Sequence, residues 1–308
     1  MGKASLDLDY KIEILGEGAR FDLCGSCGGE ESRKRHPQGG WIYPVNLPDG
    51  GKKVNILKIL LSNNCVHNCL YCANREGRGH PVASFSAEEL ASLFWHLYQR
   101  GVVKGLFLSS AVDRSPSRTM NEMLKVAEIL RYRLHFSGYL HLKILPDVSN
   151  DYLEEAVKLA TRVSVNLEAP TPQSLCQIAP QKNFFGIWQK FQWFESQKKK
   201  GLSAPAGVTT QLVVGGSKET DREIMHTTSQ LYEHFGLARV YYSAFQPVAD
   251  TPLSYKPPVS TWREHRLYQA DFLLRRYNFS FEELIFDEEG NFPLSLDPKV
   301  LWANHHPE

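Results

Sequence analysis

Six short runs of β-branched and aliphatic residues, at 54–61, 105–108, 139–145, 163–167, 208–214 and 240–245, alternate with helical patterns. This alternation restricts the fold more than any other feature of the chain. Strands separated by helices return in the same direction, which implies a parallel sheet. The intervening helices carry their own ends. Ser86 and Glu89 form a capping box, flanked by Phe85 and Leu90 as a hydrophobic staple, and Gly101 closes that segment. Ser115-Pro116 opens a second helix with proline in its first turn. Thr220 and Glu223 repeat the capping box ahead of Ile224, Leu231, Tyr232 and Phe235. A doubly wound sheet and a partial barrel both satisfy the pattern.

One detail separates them. Strands of a parallel sheet are ordinarily apolar on both faces. Here several carry a polar row: His141 and Lys143; Ser164, Asn166 and Glu168; Tyr241 and Ser243. Such a row fits a barrel whose interior holds a polar ligand, and the competing reading is strand ends that face solvent. The expected fold is α/β, a partial (β/α)6 TIM-like barrel over 54–246. An N-terminal extension (1–53) precedes it. A C-terminal flank (247–308) follows, with a Pro-rich crossing loop and a charged helix over 262–277. Lys198-Lys199-Lys200 reads as a solvated helix end completed by Gly201.

The 308 residues are 42% hydrophobic and 22% charged, with a formal net charge of +1. A dedicated nucleic-acid-binding domain is usually more basic, although a local basic stripe would suffice. No run of apolar residues is long enough for a membrane helix, and the N-terminus lacks the apolar core of a signal peptide. The expected location is the cytoplasm, with no membrane partner. Of six cysteines, five fall in two tight groups, Cys24/Cys27 and Cys65/Cys69/Cys72, and Cys176 stands alone. Without an export signal, such grouping points to metal rather than to disulfides.

Cys65, Cys69 and Cys72 have the spacing C-x3-C-x2-C and follow the first strand, in the loop at its C-terminal end where parallel α/β folds place their sites. Three thiolates on one loop suit three irons of a [4Fe–4S] cluster, leaving the fourth open. A structural zinc would instead want four protein ligands, with His67, Cys24, Cys27 or Cys176 completing the shell. An open iron suits S-adenosylmethionine (SAM), whose methionine amino and carboxylate groups can chelate it.

The triplet, with Tyr71 before its last cysteine, resembles the radical SAM superfamily signature C-x3-C-x-aromatic-C. That resemblance implies a [4Fe–4S] cluster on Cys65, Cys69 and Cys72, SAM as second cofactor, reductive SAM cleavage to a 5′-deoxyadenosyl radical, and an electron donor such as flavodoxin or ferredoxin. It places Tyr71 near the adenine. Where the superfamily usually has a Gly-Gly-Glu-like turn for the SAM amino group, this chain has Ser109-Ser110-Ala111. Asn166 and Glu168 match the fourth-strand position that meets ribose or carboxylate. Gln211 and Gly215 match the fifth-strand region near adenine. Lys143, facing the barrel, would pair with the SAM carboxylate or with Glu168.

A narrower likeness runs over nearly the whole chain. Lys58-Ile59-Leu60-Leu61-Ser62-Asn63-Asn64-Cys65, Gly105-Leu106-Phe107-Leu108-Ser109-Ser110, His141-Leu142-Lys143-Ile144-Leu145-Pro146-Asp147, Val240-Tyr241-Tyr242-Ser243-Ala244-Phe245 and Arg263-Glu264-His265-Arg266-Leu267-Tyr268-Gln269-Ala270-Asp271 are its landmarks. They are similar to the radical SAM proteins of DNA modification or repair that accompany a uracil-DNA-glycosylase-like partner. The likeness implies DNA and that partner as interactors. Members of the group typically continue past the equivalent of Asp297-Pro298-Lys299 into a helix-hairpin-helix segment, and this sequence stops at Glu308, before one could form.

Two features stay open at this level. Arg114 and Arg118 lie on the expected rim, and Arg263, Arg266, Arg275 and Arg276 share the late helix with Trp262, Tyr268 and Phe272. Arginines beside aromatics grip phosphates and stack bases. They equally pair with Glu264, Asp271, Glu282 and Glu283 to hold the C-terminal flank on the barrel, and the second role is the expected one. Cys24-Gly25-Ser26-Cys27 has only Cys176 and histidines such as His36 as further ligands, so a full second cluster is not expected.

Overall fold

A computed structural model of the chain describes residues 3–22, 41–46 and 53–306. Cys24, Cys27 and His36 lie outside the described residues. Among the described residues seven strands form one sheet in chain order. They are β1 (Ile42–Asn46), β2 (Lys53–Leu60), β3 (Gly105–Ser109), β4 (Tyr139–Lys143), β5 (Arg162–Ser164), β6 (Val208–Val214) and β7 (Arg239–Ala244). β2 through β7 are parallel, and β1 pairs antiparallel with β2 at the edge. Because every strand neighbours the next in sequence, the crossovers all turn the same way and the sheet curls into a half-barrel. The six expected strands are therefore present, with one extra edge strand that the sequence pattern did not announce.

The two faces of the sheet differ chemically. Leu57, Ile59, Leu106, Leu108, Leu140, Leu142, Val163, Leu212 and Val214 belong to the main core, packed under the surrounding helices. Register puts the alternate residues on the inner face: Lys58 beside Phe107, Phe107 beside His141, Lys143 beside Ser164, Ser164 beside Thr209 and Gln211 beside Tyr241. The polar row is thus inside the barrel, not at solvent-facing strand ends. Near the start of the strands Ile56 and Phe107 pack with Tyr43, Val45 and Tyr139.

The helices start where their caps dictate. α1 (Lys3–Gly18) precedes the sheet. In α2 (Ala87–Gln99) the Ser86 side chain accepts from the Glu89 N–H while Glu89 accepts from that of Ser86, and Phe85 and Leu90 are buried as the staple requires. Ser115 caps α3 (Pro116–Glu128), which runs on into a π-turn, Ile129–Arg133. α4 (Asn150–Leu159), α5 (Pro172–Ile178) and α6 (Phe184–Lys199) follow, then α7 (Asp221–Phe235) behind the Thr220/Glu223 box. Lys198, Lys199 and Lys200 are exposed, and Gly201 takes φ +86° as a helix stop needs. α8 (Thr261–Tyr277) and α9 (Pro298–His305) form the C-terminal flank.

Two departures from the sequence pattern have local causes. β4 ends at Lys143, three residues before Pro146. β5 ends at Ser164 although its apolar alternation continues to Leu167. There the Leu167 N–H donates to the Thr210 side chain instead of a ladder carbonyl, and Glu168, at φ +69°, rejoins β6 through a single bridge to Leu212. A non-glycine residue at that φ is strained and needs support from its neighbours.

One late-helix arginine ties the flank to the barrel, and two others bond within the flank. Arg263 Nε lies 2.7 Å from Asp221 Oδ1. Arg266 donates to the Leu294 carbonyl at 2.8 and 3.1 Å, and Arg275 pairs with Asp271 at 2.6 Å. Glu264 accepts the Ala244 N–H at 2.7 Å. Arg276, Arg114 and Arg118 remain exposed.

Candidate functional site

The loop after β2 carries the three cysteines, and neighbouring backbone clamps it on three sides. Val66 N–H donates to the Val112 carbonyl at 2.9 Å, Leu70 N–H to Ile178 at 2.8 Å, and Leu253 N–H to the Leu70 carbonyl at 3.3 Å. Behind it Cys69 packs with Leu175, Ile178, Val213, Phe245 and Leu253. The loop is therefore held by the turn after β3, the end of α5 and the Pro-rich crossing loop.

Cys65, Cys69 and Cys72 line a cavity at the C-terminal end of the half-barrel that opens to solvent. The His67 N–H points at Cys65 Sγ and the Asn74 N–H at Cys72 Sγ, each at 3.4 Å. Burial, and then the neighbouring cysteines, push the Cys72 thiol up to about 12, and burial raises Cys69 as well, against the charge of Lys182. Crowded, buried thiols of this kind ionise when a cation compensates them. Backbone N–H groups aimed at sulfur are the donors that tune an iron–sulfur cluster. Among the described residues no three His, Cys, Asp or Glu side chains are gathered tightly enough for a single metal ion. Three cysteine thiols on one loop, with backbone N–H groups aimed at two of the sulfurs, fit the three protein-held irons of a [4Fe–4S] cluster.

Opposite the loop stand the inner-face residues. Asn166 and Glu168 line the cavity from the segment after β5, Gln211 from β6, Ser110 from the turn after β3, and Tyr71 from the cysteine loop itself. Burial lifts the Tyr71 hydroxyl well above its usual range, and the adjacent Glu168 carboxylate adds to the effect. Two residues fall elsewhere. Ser109 is fully buried and donates to Asp22 Oδ2 at 2.5 Å. Gly215 lies off the cavity at φ +78°, its N–H taken by the Glu219 carboxylate and its Cα face against Val259. Lys143 does face the cavity, but its direct partner is Asp22 at 2.5 Å rather than Glu168.

Three charged residues of the site had no signal in the sequence. Lys182, in the turn between α5 and α6, reaches Glu168 at 2.8 Å with both side chains nearly buried. Burial works against both charges, yet each stabilises the other, so the Glu168 carboxyl sits below and the Lys182 ammonium above its usual range. Asp22 enters from the segment before β1. Burial opposes its charge too, but Lys143 and the Ser109 hydroxyl outweigh it and hold the carboxyl below the usual range. Lys58, on the inner face of β2, donates to the Asp22 main-chain carbonyl at 2.6 Å. These residues lie in loops or in otherwise apolar runs, where no pattern distinguishes them from surface charges.

A cluster-binding cysteine loop at the C-terminal mouth of a parallel half-barrel, facing a polar interior, defines a class of iron–sulfur enzyme. The chain belongs to the radical SAM superfamily, whose profile matches residues 59–231, over half its length. That membership brings a [4Fe–4S] cluster and SAM as cofactors. Threonylcarbamoyladenosine tRNA methylthiotransferase MtaB of Thermotoga maritima is 26% identical over 204 residues, covering 64% of this chain and 45% of that protein. The chain thus spans under half the length of the curated relative it matches. Among solved structures, HydG, a maturase of the [FeFe]-hydrogenase, superposes with a TM-score of 0.55 at 15% identity over 70% of this chain and 48% of its own. Methylornithine synthase (PylB) gives a TM-score of 0.54 at 14% identity over 68% of this chain and 59% of its own. At these identities the structures share the fold. No helix among the described residues is long and apolar enough to cross a membrane.

Proposed function

We propose that the protein is an enzyme that reductively cleaves SAM at a [4Fe–4S] cluster on Cys65, Cys69 and Cys72 and acts on a nucleic-acid substrate. The observation that carries the first half is the three-thiol loop at the mouth of a barrel-enclosed cavity into which Lys143, Asn166, Glu168 and Lys182 project. When bound, the cluster and SAM together supply a one-electron reduction that breaks the sulfonium bond and delivers a 5′-deoxyadenosyl radical. The chain's own residues do the rest. Lys182 holds a positive charge beside Cys69 and Cys72, suited to the SAM carboxylate. Glu168 and Asn166 would offer acceptors to the ribose hydroxyls, Tyr71 and Gln211 would contact the adenine, and Ser110 would meet the amino group. The apolar part of the lining, Leu60, Val112, Ile144 and Val213 among it, would limit water around a species that would otherwise be quenched.

A nucleic-acid substrate is supported by three things. The curated relative bears the name of a tRNA-modifying enzyme. The landmark segments are similar to the radical SAM proteins of DNA modification and repair. Arg114 and Arg118 are exposed on the same rim as the cysteine loop. On this reading residues 54–246 form the catalytic barrel, DNA and a uracil-DNA-glycosylase-like protein are its partners, and a flavodoxin or ferredoxin supplies the electron.

Anaerobic reconstitution with iron and sulfide, followed by SAM and dithionite, tests the assignment. The wild type should hold about four irons and release 5′-deoxyadenosine, detected by mass spectrometry. Cys69→Ala should hold fewer irons and release none. Zinc in place of iron, with no SAM binding, would sink it.

A further inference from the structure

Two ion pairs face the same cavity, and they have different surroundings. Glu168–Lys182 stands against the cysteine loop, and the charges acting on Cys69 include both members. Asp22–Lys143 sits at the tops of β3 and β4, on the side reached by α1 and Gly18. Three adjacent strands are committed to Asp22. Lys58 of β2 holds its main chain at 2.6 Å, Ser109 of β3 and Lys143 of β4 hold its carboxylate, each at 2.5 Å. Lys58 itself lies over the Tyr43 ring, 3.6 Å from its centroid.

A purely structural pair has no reason to open on a cavity. Yet the Asp22 carboxylate keeps 12% and the Lys143 side chain 19% of its exposure, both toward this one. The acid is supplied from outside the run of βα units, whose own strands already contain the lysine and the hydroxyl. With its carboxyl held ionised, Asp22 is a hydrogen-bond acceptor only. Lys143 has three donors and gives one to Asp22, leaving others for a ligand. An acceptor beside a donor, both charged and both rigidly held, complements a ligand edge with a donor beside an acceptor.

From this geometry we infer that Asp22 and Lys143 form the substrate-binding pair and read the hydrogen-bonding edge of a nucleobase. The inference rests on the proposed radical SAM reading and deepens it. The pair takes the base at the tops of β3 and β4, while Glu168–Lys182 stands against the cysteine loop, so cofactor and substrate use separate ion pairs.

The test uses the full chain, reconstituted and loaded with SAM, and measures binding of thymidine, deoxycytidine, deoxyadenosine and deoxyguanosine by calorimetry. N3-methylthymidine serves as a ligand with its donor removed. At least one nucleoside should bind the wild type. Asp22→Asn and Lys143→Met should weaken it about tenfold to a hundredfold, the effect of losing a hydrogen bond to a charged group. SAM affinity should stay within about twofold in both variants. Lys143→Arg, which keeps the charge, should recover part of the nucleoside binding, a rescue that a collapsed fold would not show. Failure of all four nucleosides to bind SAM-loaded wild type overturns the inference while leaving the radical SAM assignment standing. Variants that bind nucleoside like the wild type also overturn it. Loss of SAM binding in both variants would place the pair in the cofactor site instead. A wild type that binds neither iron nor SAM removes the reading beneath it.

Discussion

Lys182 and Glu168 sit 2.8 Å apart with little solvent on either, so each charge depends on the other. Removing one partner strands a buried charge, which typically costs about 3–5 kcal/mol, whereas removing both is often nearly neutral. Lys182→Met should therefore lower the denaturation midpoint more than the double variant Glu168→Gln/Lys182→Met does. Chemical denaturation of the wild type and these two variants measures the difference, and a double variant that loses no less than Lys182→Met would count against the coupling. His141 gives a second residue-scale prediction. Its imidazole is fully buried on the inner face, bonded to Ser164 at 2.9 Å, and burial, then Arg162 and Lys143, hold it well below its usual range. The folded protein keeps it neutral while the unfolded chain protonates near pH 6.5. Stability from this site is thus complete above that pH and is lost as pH falls toward the folded value. His141→Gln should flatten this part of the stability–pH curve, read from thermal melts between about pH 7 and pH 5. An unchanged slope would mean that another group carries it.

At the scale of elements, the connections are as specific as the strands. Gly215, at the end of β6, has φ +78°, and a Cβ there would stand 2.2 Å from Val259 Cγ2. The crossing loop that seats the cysteine loop through Leu253 therefore needs a glycine beneath Val259. Gly215→Ala should destabilise the protein by about 2 kcal/mol or more, combining left-handed strain with the clash. Hydrogen exchange should quicken over 246–260 before it does in the β2–β4 region, and uniform quickening would count against the local account. Arg131 plays a comparable part elsewhere. From the π-turn after α3 it donates to the carbonyls of Leu159, Phe136 and Gly138 at 2.7, 2.6 and 2.9 Å, closing the turns around β4 and β5.

For the molecule as a whole, Asp221 joins the barrel to its C-terminal flank. It is fully buried at the start of α7, pairs with Arg263 of α8, and accepts the Phe292 N–H at 2.9 Å. Asp221→Ala leaves Arg263 and Phe292 without that partner and should cost about 3–5 kcal/mol. Protease sensitivity and fast exchange should appear across 261–306 first, while the sheet stays protected. Simultaneous loss of protection in the sheet would show that flank and barrel unfold as one unit. The same scale explains why the late arginines read correctly as braces in outline and not in detail. Their charge and spacing are visible in the chain, but Asp221 and Leu294 are brought to them only by the fold.

Periodicity, caps and cysteine spacing are local properties, so the six parallel strands, the two capping boxes and the position of the Cys65/Cys69/Cys72 loop were all legible in the sequence. The inward polar row was legible too, because alternation along a strand survives in any sheet. The rest depends on which distant residues curl together. Lys182 meets Glu168 across a turn and a helix, and Asp22 meets Lys143 across more than a hundred residues of chain. No periodicity marks such pairs, since a charged residue in a loop looks the same whether it ends in solvent or in a cavity. Ser109 and Gly215 were misplaced for the related reason that one step of register or one tight turn decides what a side chain faces. Local pattern is enough to specify a parallel half-barrel with a three-thiol loop at its mouth. Which charges share the cavity with that loop follows from the closed fold alone, because burial and pairing exist only there.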